Sequence, residues 1–417
     1  MRFVLRGPMM VISEKSGGKV LRAWISGLLF LFLGSCVSAV PREDLRGKEP
    51  LSFREHEIQG PLRDDSPTDS LLASVEKSLA YLEKKSSPGG LPTNSGEKFS
   101  SGHVYRSLSL FRDLLLSAHD EAELDRRIRE KLIFYEFRRE DSSSFILLTG
   151  YFEPILEGSL VADGEYRFPL YGRPDDLLEE RPEEYSGEKG AGRRMVRMEG
   201  GQAVPYYSRR QIDTEGALQG RGLELVWLRD AWERFVLHIQ GSGQVRLPDG
   251  RTIRVGYAAS NGRPYRAIGR YLREQGFLKE KEISMEGVRE FLQSNPGRTE
   301  EILSINERYI FFRLLAGSEG PLGALGLPLT PGRSIATDLT LFPPGALAYL
   351  VSRQPELDES GKLTGWKTLR RFVLNQDAGG AILGPGRVDL FFGSGDRAGR
   401  AAGEMKEEGK IYFLLAK

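Results

Sequence analysis

After Ser142 the chain breaks into short apolar or aromatic runs separated by Gly, Pro and Asp, and this punctuation most narrows what it can fold into. Runs of that length suit strands, which average five or six residues, whereas a stable amphipathic helix needs ten or more. With 49 glycines and 22 prolines in 417 residues, the larger part of the chain is expected to be β-rich. Residues 145–148, 167–171, 235–239, 245–247 and 253–257 are expected strands, with Pro248-Asp249-Gly250 turning the chain between the last two. Residues 372–374, 388–392 and 411–415 form a second β-rich group, the last suited to a closing strand.

Helical periodicity is concentrated before that change. Leu71, Leu72, Val75, Leu79 and Leu82 recur on one helix face until Pro88-Gly89-Gly90 stops the pattern. A second helical region over 108–134 places Leu110, Leu114, Leu124, Ile128 and Leu132 on its apolar side, with an interruption near His119. Shorter helices are expected over 265–275 and after Ser284, an N-cap type, carrying Val288, Phe291 and Leu292. Gly287 weakens the first turn of that helix. The acidic stretch 175–188 reads as a solvated loop. The fold class is therefore mainly β with peripheral helices.

The first 35 residues read as a secretion signal. Lys19 and Arg22 precede an apolar run over 23–33, too short to span a bilayer as a normal helix. The run ends in Leu33-Gly34-Ser35-Cys36, which resembles a bacterial lipoprotein processing box with Cys36 as the lipidated residue. Cys36 is the only cysteine, so no intrachain disulfide forms. Val37 after Cys36 resembles lipoproteins sent to an outer membrane. Cleavage there removes five basic residues and one acidic one, taking the formal charge from +1 to −3. That balance gives no support to nucleic-acid binding. Residues 36–70 read as a polar tether and irregular lead-in.

The chemical inventory is sparse. His56, His103, His119 and His238 form no HExxH pair, and no metal site or cofactor is expected. No GxSxG elbow, P-loop or GxGxxG fingerprint is present. Carboxylates are the best remaining candidates. Asp389 lies in an expected strand, where alternation sets it with Phe391 on one face and Val388, Leu390 and Phe392 on the other. An acid against aromatic surface keeps its proton more readily, as a general acid must. Asp377 precedes Gly379-Gly380, where backbone approaches a ligand closely. On residue chemistry alone, a turn role for Asp377 and a surface-strand role for Asp389 stay open beside a carboxylate enzyme.

Longer motifs carry more. Asn375-Gln376-Asp377-Ala378-Gly379-Gly380, followed by Gly384-Pro385-Gly386-Arg387-Val388-Asp389-Leu390-Phe391-Phe392-Gly393-Ser394-Gly395, resembles the signature of the membrane-bound lytic transglycosylase A family. Pro328-Leu329-Thr330-Pro331-Gly332-Arg333-Ser334-Ile335-Ala336-Thr337-Asp338 resembles the start of the same three-aspartate domain. Tyr151-Phe152-Glu153-Pro154, Pro205-Tyr206-Tyr207-Ser208-Arg209 and Ile239-Gln240-Gly241-Ser242-Gly243 occur in family order. Ala378, Leu383 and His238 depart from the familiar pattern.

The resemblance implies a double-psi β-barrel domain, 48–150 plus 313–417, interrupted by a β-rich insert over 151–312 with a glycan groove between. It implies a lytic transglycosylase acting on peptidoglycan glycan strands. Asp389 would be the catalytic acid and base, with Asp377, Asp338 and Arg387 supporting it. Tyr151, Tyr206, Tyr207, Gln240 and Ser242 are glycan-binding candidates. A lipid anchor in the outer membrane facing the periplasm, and cell-wall synthesis proteins as partners, complete the expectation. The rivals are a peptidoglycan glycoside hydrolase and a non-catalytic peptidoglycan-binding lipoprotein.

Overall fold

The computed structural model describes residues 52–85, 99–139, 143–180, 194–316 and 320–417. The signal segment, Cys36, Pro88-Gly89-Gly90 and most of the acidic stretch lie outside the described residues.

Strand β1 (Ser52–His56) and helices α1 (Thr68–Lys85), α2 (Ser101–Ser117) and α3 (Glu121–Lys131) lead into β2 (Leu132–Arg138) and β3 (Ile146–Glu153). The chain then builds β4 (Ile155–Ser159), β5 (Phe168–Tyr171), β6 (Leu178–Glu180), β7 (Arg194–Glu199) and β8 (Gln202–Pro205). Next come α4 (Arg209–Asp213), β9 (Glu224–Leu228), α5 (Ala231–Gln240), β10 (Ser242–Arg246) and β11 (Thr252–Ser260). Helices α6 (Ile268–Glu274), α7 (Met285–Ser294) and α8 (Thr299–Ser304) precede β12 (Ile310–Leu315). The chain finishes with β13 (Ser334–Ala336), β14 (Leu347–Leu357), β15 (Leu363–Asp377), β16 (Arg387–Ser394), α9 (Asp396–Glu404) and β17 (Lys406–Ala416).

Two sheet systems result. In the first, β3, β16, β13, β15, β14 and β17 are successive neighbours and β17 returns to β3, closing a six-stranded barrel. Closure leaves no unpaired edge within the ring. The C-terminal half of β17 leaves β3 and pairs with β2, which pairs in turn with β1. Leu148, Ile335, Leu374, Val388, Leu390 and Phe413 are fully buried here, each worth about 1.5–3 kcal/mol of transfer free energy. Leu71, Val75, Leu79 and Leu82 of α1 and Phe111 of α2 seal the same core from outside. The second system runs β12-β11-β10-β4-β9-β5, and an isolated Gly172–Phe312 bridge brings its two edges together. A small sheet of β6, β7 and β8 lies beside it.

Several expectations need correction. Residues 235–239 are helical, within α5. Asp230 caps that helix by accepting from the Trp232 and Glu233 N–H groups, and Gly241 ends it at φ 79°. Five consecutive buried residues, Arg234 to His238, gave this short helix the uniform look of a strand. The helical region over 108–134 does break near His119, where Asp120 caps α3, but it ends at Lys131. Leu132 and Phe134 belong to β2, where pairing with β1 and β17 outweighs local periodicity. Residues 52–56 of the supposed irregular lead-in form β1. Helix α9 was not expected, since Gly399 and Gly403 dilute its helical signal.

Ser284 does cap α7, accepting from Gly287 N at 3.0 Å. Glycine is required there because a Cβ would lie 2.1 Å from the Glu282 carbonyl oxygen.

Candidate active site

The barrel brings two of the three motif aspartates onto one row. Ala336 of β13 pairs with Asp377 of β15 on one side and Asp389 of β16 on the other. Neighbouring strands lie about 4.8 Å apart, so the two aspartates are separated by roughly two strand spacings. Asp389 also pairs with Thr149 of β3, and Phe391 with Tyr151. Val388 and Leu390 point into the barrel core, which turns Asp389 to the opposite face.

Asp389 is provided for unusually poorly. Its side chain is 17% exposed, and Oδ1 is buried with no hydrogen-bond partner. The nearest cation, Arg387 Nη2, stands 4.0 Å away and leans instead on Thr149 Oγ1 at 3.3 Å. Loss of solvent pushes the Asp389 carboxyl up to about 7; Arg387 opposes this weakly and Asp377 adds to it. The group therefore holds a proton near neutrality.

Asp377 has the opposite surroundings. Oδ1 accepts from Ala324 N at 2.7 Å and Ala378 N at 2.8 Å, and Oδ2 accepts from the Tyr151 hydroxyl at 2.8 Å. Burial still raises it to about 6, against the pull of those three donors. Tyr151 is raised well above 10 by burial, and next by Asp377, so it stays a donor. Gly323 permits this packing: a Cβ there would meet Leu329 at 2.6 Å and the Gln376 carbonyl oxygen at 2.7 Å.

Asp338 does not touch the other two through any hydrogen bond. It accepts from Thr340 N and Oγ1, and Oδ2 accepts from Gly384 N at 2.9 Å, holding the loop between Asp377 and Asp389. Asn375 and Gln376 are fully buried anchors for Asp377. Asn375 accepts from Thr337 Oγ1, and Gln376 bonds Ser334, Ser74 and Ser78. From connections outside the barrel, Tyr265 (between β11 and α6) comes within electrostatic reach of Arg387, and Arg308 (before β12) lies against Gly380. Sequence reasoning named neither, because nothing local marks them.

Glu153 is a further omission. Only 1% exposed, it accepts from Arg254 at 3.0 Å, Gln244 at 2.8 Å and Ser394 at 2.6 Å. It ties β3 and the end of β16 to β10 and β11 of the second sheet. Gln240 assists by accepting from Phe152 N at 3.1 Å. Ser242 opens β10 and is half-buried.

The two tyrosines of the 205–209 motif lie elsewhere. Tyr206 is fully buried and donates to Asp176, so it offers no surface to a sugar; its expected glycan contact is corrected to a packing role. Tyr207 is half-buried under the Arg197 guanidinium, 4.0 Å from its ring centroid.

Comparison with known proteins gives this arrangement a lineage. Residues 147–313 match the MltA specific insert domain and residues 333–415 match the 3D domain. The crystal structure of MltA from Neisseria gonorrhoeae is 32% identical, superposes with a TM-score of 0.64, and is matched over 88% of its length by 84% of this chain. The chain belongs to the MltA family. A membrane-bound lytic murein transglycosylase from Agrobacterium tumefaciens has a TM-score of 0.70 at 29% identity, covering 88% of this chain and 98% of that one. Among curated relatives, membrane-bound lytic murein transglycosylase A of Vibrio cholerae is 30% identical over 278 residues, 66% of each chain. The MltA fold thus accounts for the barrel and for the large interruption between β3 and β13.

Proposed function

We propose that this MltA-family chain is a peptidoglycan lytic transglycosylase that cleaves the β-1,4 bond between N-acetylmuramic acid and N-acetylglucosamine without water. The observation that carries the reading is Asp389, a buried acid with an unpartnered oxygen, raised to about 7. Protonated Asp389 donates to the glycosidic oxygen as the C1–O bond breaks and positive charge develops on the muramoyl ring. The carboxylate so formed takes the proton from that ring's C6 hydroxyl. The C6 oxygen closes on C1, leaving a 1,6-anhydromuramoyl end. One carboxyl group suffices because the nucleophile is intramolecular, unlike the two-carboxylate scheme of glycoside hydrolysis. Asp377 is a poor water-orienting base because three donors already occupy its oxygens.

The named relatives support this activity, and E. coli MltA has been crystallised with bound chitohexaose. The domain division follows from the same reading: a barrel domain of 48–150 plus 313–417, an inserted domain of 151–312, and the glycan between them. Asp338 and Arg387 support the acid, through the loop and through charge respectively. Tyr151, Gln240 and Ser242 border the glycan. The enzyme works in the cell envelope, anchored through a lipid on Cys36 in the outer membrane. Digestion of purified sacculi followed by product mass analysis tests the reaction. Anhydro ends, one water lighter than hydrolysed ends, are expected from the wild type and not from Asp389→Asn. Hydrolysed ends in their place would overturn the mechanism.

A further inference from the structure

The second sheet system holds another cluster of buried charge, built from none of the residues around Asp389. Arg209 of α4 and Arg234 of α5, 1% and 6% exposed, face one carboxylate, Asp213. Arg209 Nη1 lies 3.4 Å from Asp213 Oδ2, and Arg234 Nη1 lies 3.0 Å from Oδ1. Arg209 gives its other donors to the Asn306 and Arg308 carbonyls. Arg234 has a buried Nε with no hydrogen-bond partner, and Asp213 Oδ1 has no aligned donor.

Arg333 of the barrel shows what a satisfied buried arginine looks like. It donates through Nε to Ser70, and through both terminal nitrogens to Asp64 and to backbone carbonyls. Nor does His238 supply negative charge beside Arg234. Its Nδ1 accepts from Ile310 N, and burial, with both arginines adding, holds it neutral. Glu224 and Glu300 make no ion pair with either arginine among the described residues. Two guanidiniums therefore share one carboxylate, leaving an unmatched buried cation.

A half-open cavity of about 240 Å³ reaches this cluster. Buried Arg234 and part-buried Asp213 line it with Phe168 and Trp227, while Arg167 and Glu300 of the lining are exposed. Arg167 and Arg234 each lie 5.5 Å from the Phe168 ring centroid, so two guanidiniums neighbour one aromatic side chain of the lining. A guanidinium fork matches a carboxylate, and the match strengthens out of water. The cavity is smaller than a drug-sized site, which suits the end of a chain better than a whole large ligand.

We propose that this cavity binds the free C-terminal carboxylate of a short peptide. The carboxylate lies on Arg234 and Arg167, the terminal side chain packs on Phe168 and Trp227, and Glu300 accepts from a peptide N–H. In a cell-wall enzyme the peptide stems of the glycan strand supply such ends. That identification rests on the function proposed above, whereas the carboxylate chemistry does not.

Calorimetric titration of the full chain in detergent with D-alanyl-D-alanine, its C-terminal amide and acetate tests the site. The dipeptide is expected to bind at least tenfold more tightly than either the amide or acetate. Because Arg234→Gln disturbs a buried ion cluster, two edge variants carry the test. Arg167→Gln removes one guanidinium and Ser304→Trp fills the cavity. Each is expected to weaken dipeptide binding at least tenfold while leaving cleavage of peptide-free glycan unchanged. No binding at millimolar dipeptide, equal binding of acid and amide, or undiminished binding by both variants would overturn the site. Acetate binding as tightly as the dipeptide would overturn the peptide assignment. Asp389→Asn protein is expected to bind the dipeptide as the wild type does, so a failure of the catalytic reading stays separate from a failure of this one.

Discussion

Two carboxylates largely withdrawn from water stand toward opposite ends of the parallel β3–β16 ladder, and their hydrogen bonding differs. Glu153 pairs with Ser394 in register, and its side chain collects an arginine, an amide and a hydroxyl. Asp389 pairs with Thr149 five residues earlier on β16, and its Oδ1 collects nothing. Glu153 is 1% exposed and the Asp389 side chain 17%, so most of each is out of water. Unmet hydrogen bonding separates a carboxylate that joins two sheets from one left free to exchange a proton.

Removing the reactive member should have the largest effect. Asp389→Asn is expected to lower kcat by about 10²–10⁴-fold, with an unchanged circular-dichroism spectrum and retained glycan binding. An active variant would transfer the acid's role elsewhere. Glu153→Ala, at the other end, should act on stability. It strands the Arg254 guanidinium in a buried setting, at a cost of about 3–5 kcal/mol in urea unfolding, with Glu153→Gln milder. A loss under 1 kcal/mol would mean that water replaces the carboxylate freely.

The raised acid has a stability consequence of definite sign. The folded chain binds the Asp389 proton more tightly than the unfolded chain does. Its contribution is therefore complete below the ordinary value of 3.8 and is lost as pH rises through about 7. Asp389→Asn should match wild-type stability near pH 4 and exceed it at pH 8, by on the order of 2–4 kcal/mol. Activity should decline about tenfold per pH unit above the folded value, where the proton donor is lost. A pH profile flat to 9 contradicts both statements. The smallest effect belongs to Tyr151→Phe, which removes one donor to Asp377. It should raise the Asp377 apparent pKa further and cost about 1–3 kcal/mol, read by carboxyl NMR titration and by a modest change in kcat.

Much of the barrel could be read from residue order. The runs at 372–374, 388–392 and 411–415 fall within β15, β16 and β17, and the alternation around Asp389 set its face correctly. A barrel was expected from the family resemblance, but which strands pair to close it was not legible in the residue pattern, because pairing β3 with β16 joins residues about 240 positions apart and no local period encodes that. The short helix over 235–239 was misread because burial on all sides erases the 3.6-residue signal. Of the site, Asp377 and Asp389 stood out through their glycine-rich motif, and Tyr206 misled through its membership of another. Glu153 sat in a quoted motif without a role, because its partners lie on β10, β11 and β16 and become neighbours only after folding.

The strand that closes the ring follows every other barrel strand in the sequence. β17 occupies Lys406–Ala416, and β3 and β14 both wait for it. The inserted sheet is contiguous in sequence and can collapse while the chain is still emerging. The strand bearing Asp389 gains its closed surroundings only when β17 has joined β3 and β14. A polypeptide in which β17 has not docked thus carries the acid on an open, solvated sheet, where the carboxyl returns toward its ordinary value. Competence for bond breaking is in this sense a proof that the ring has closed.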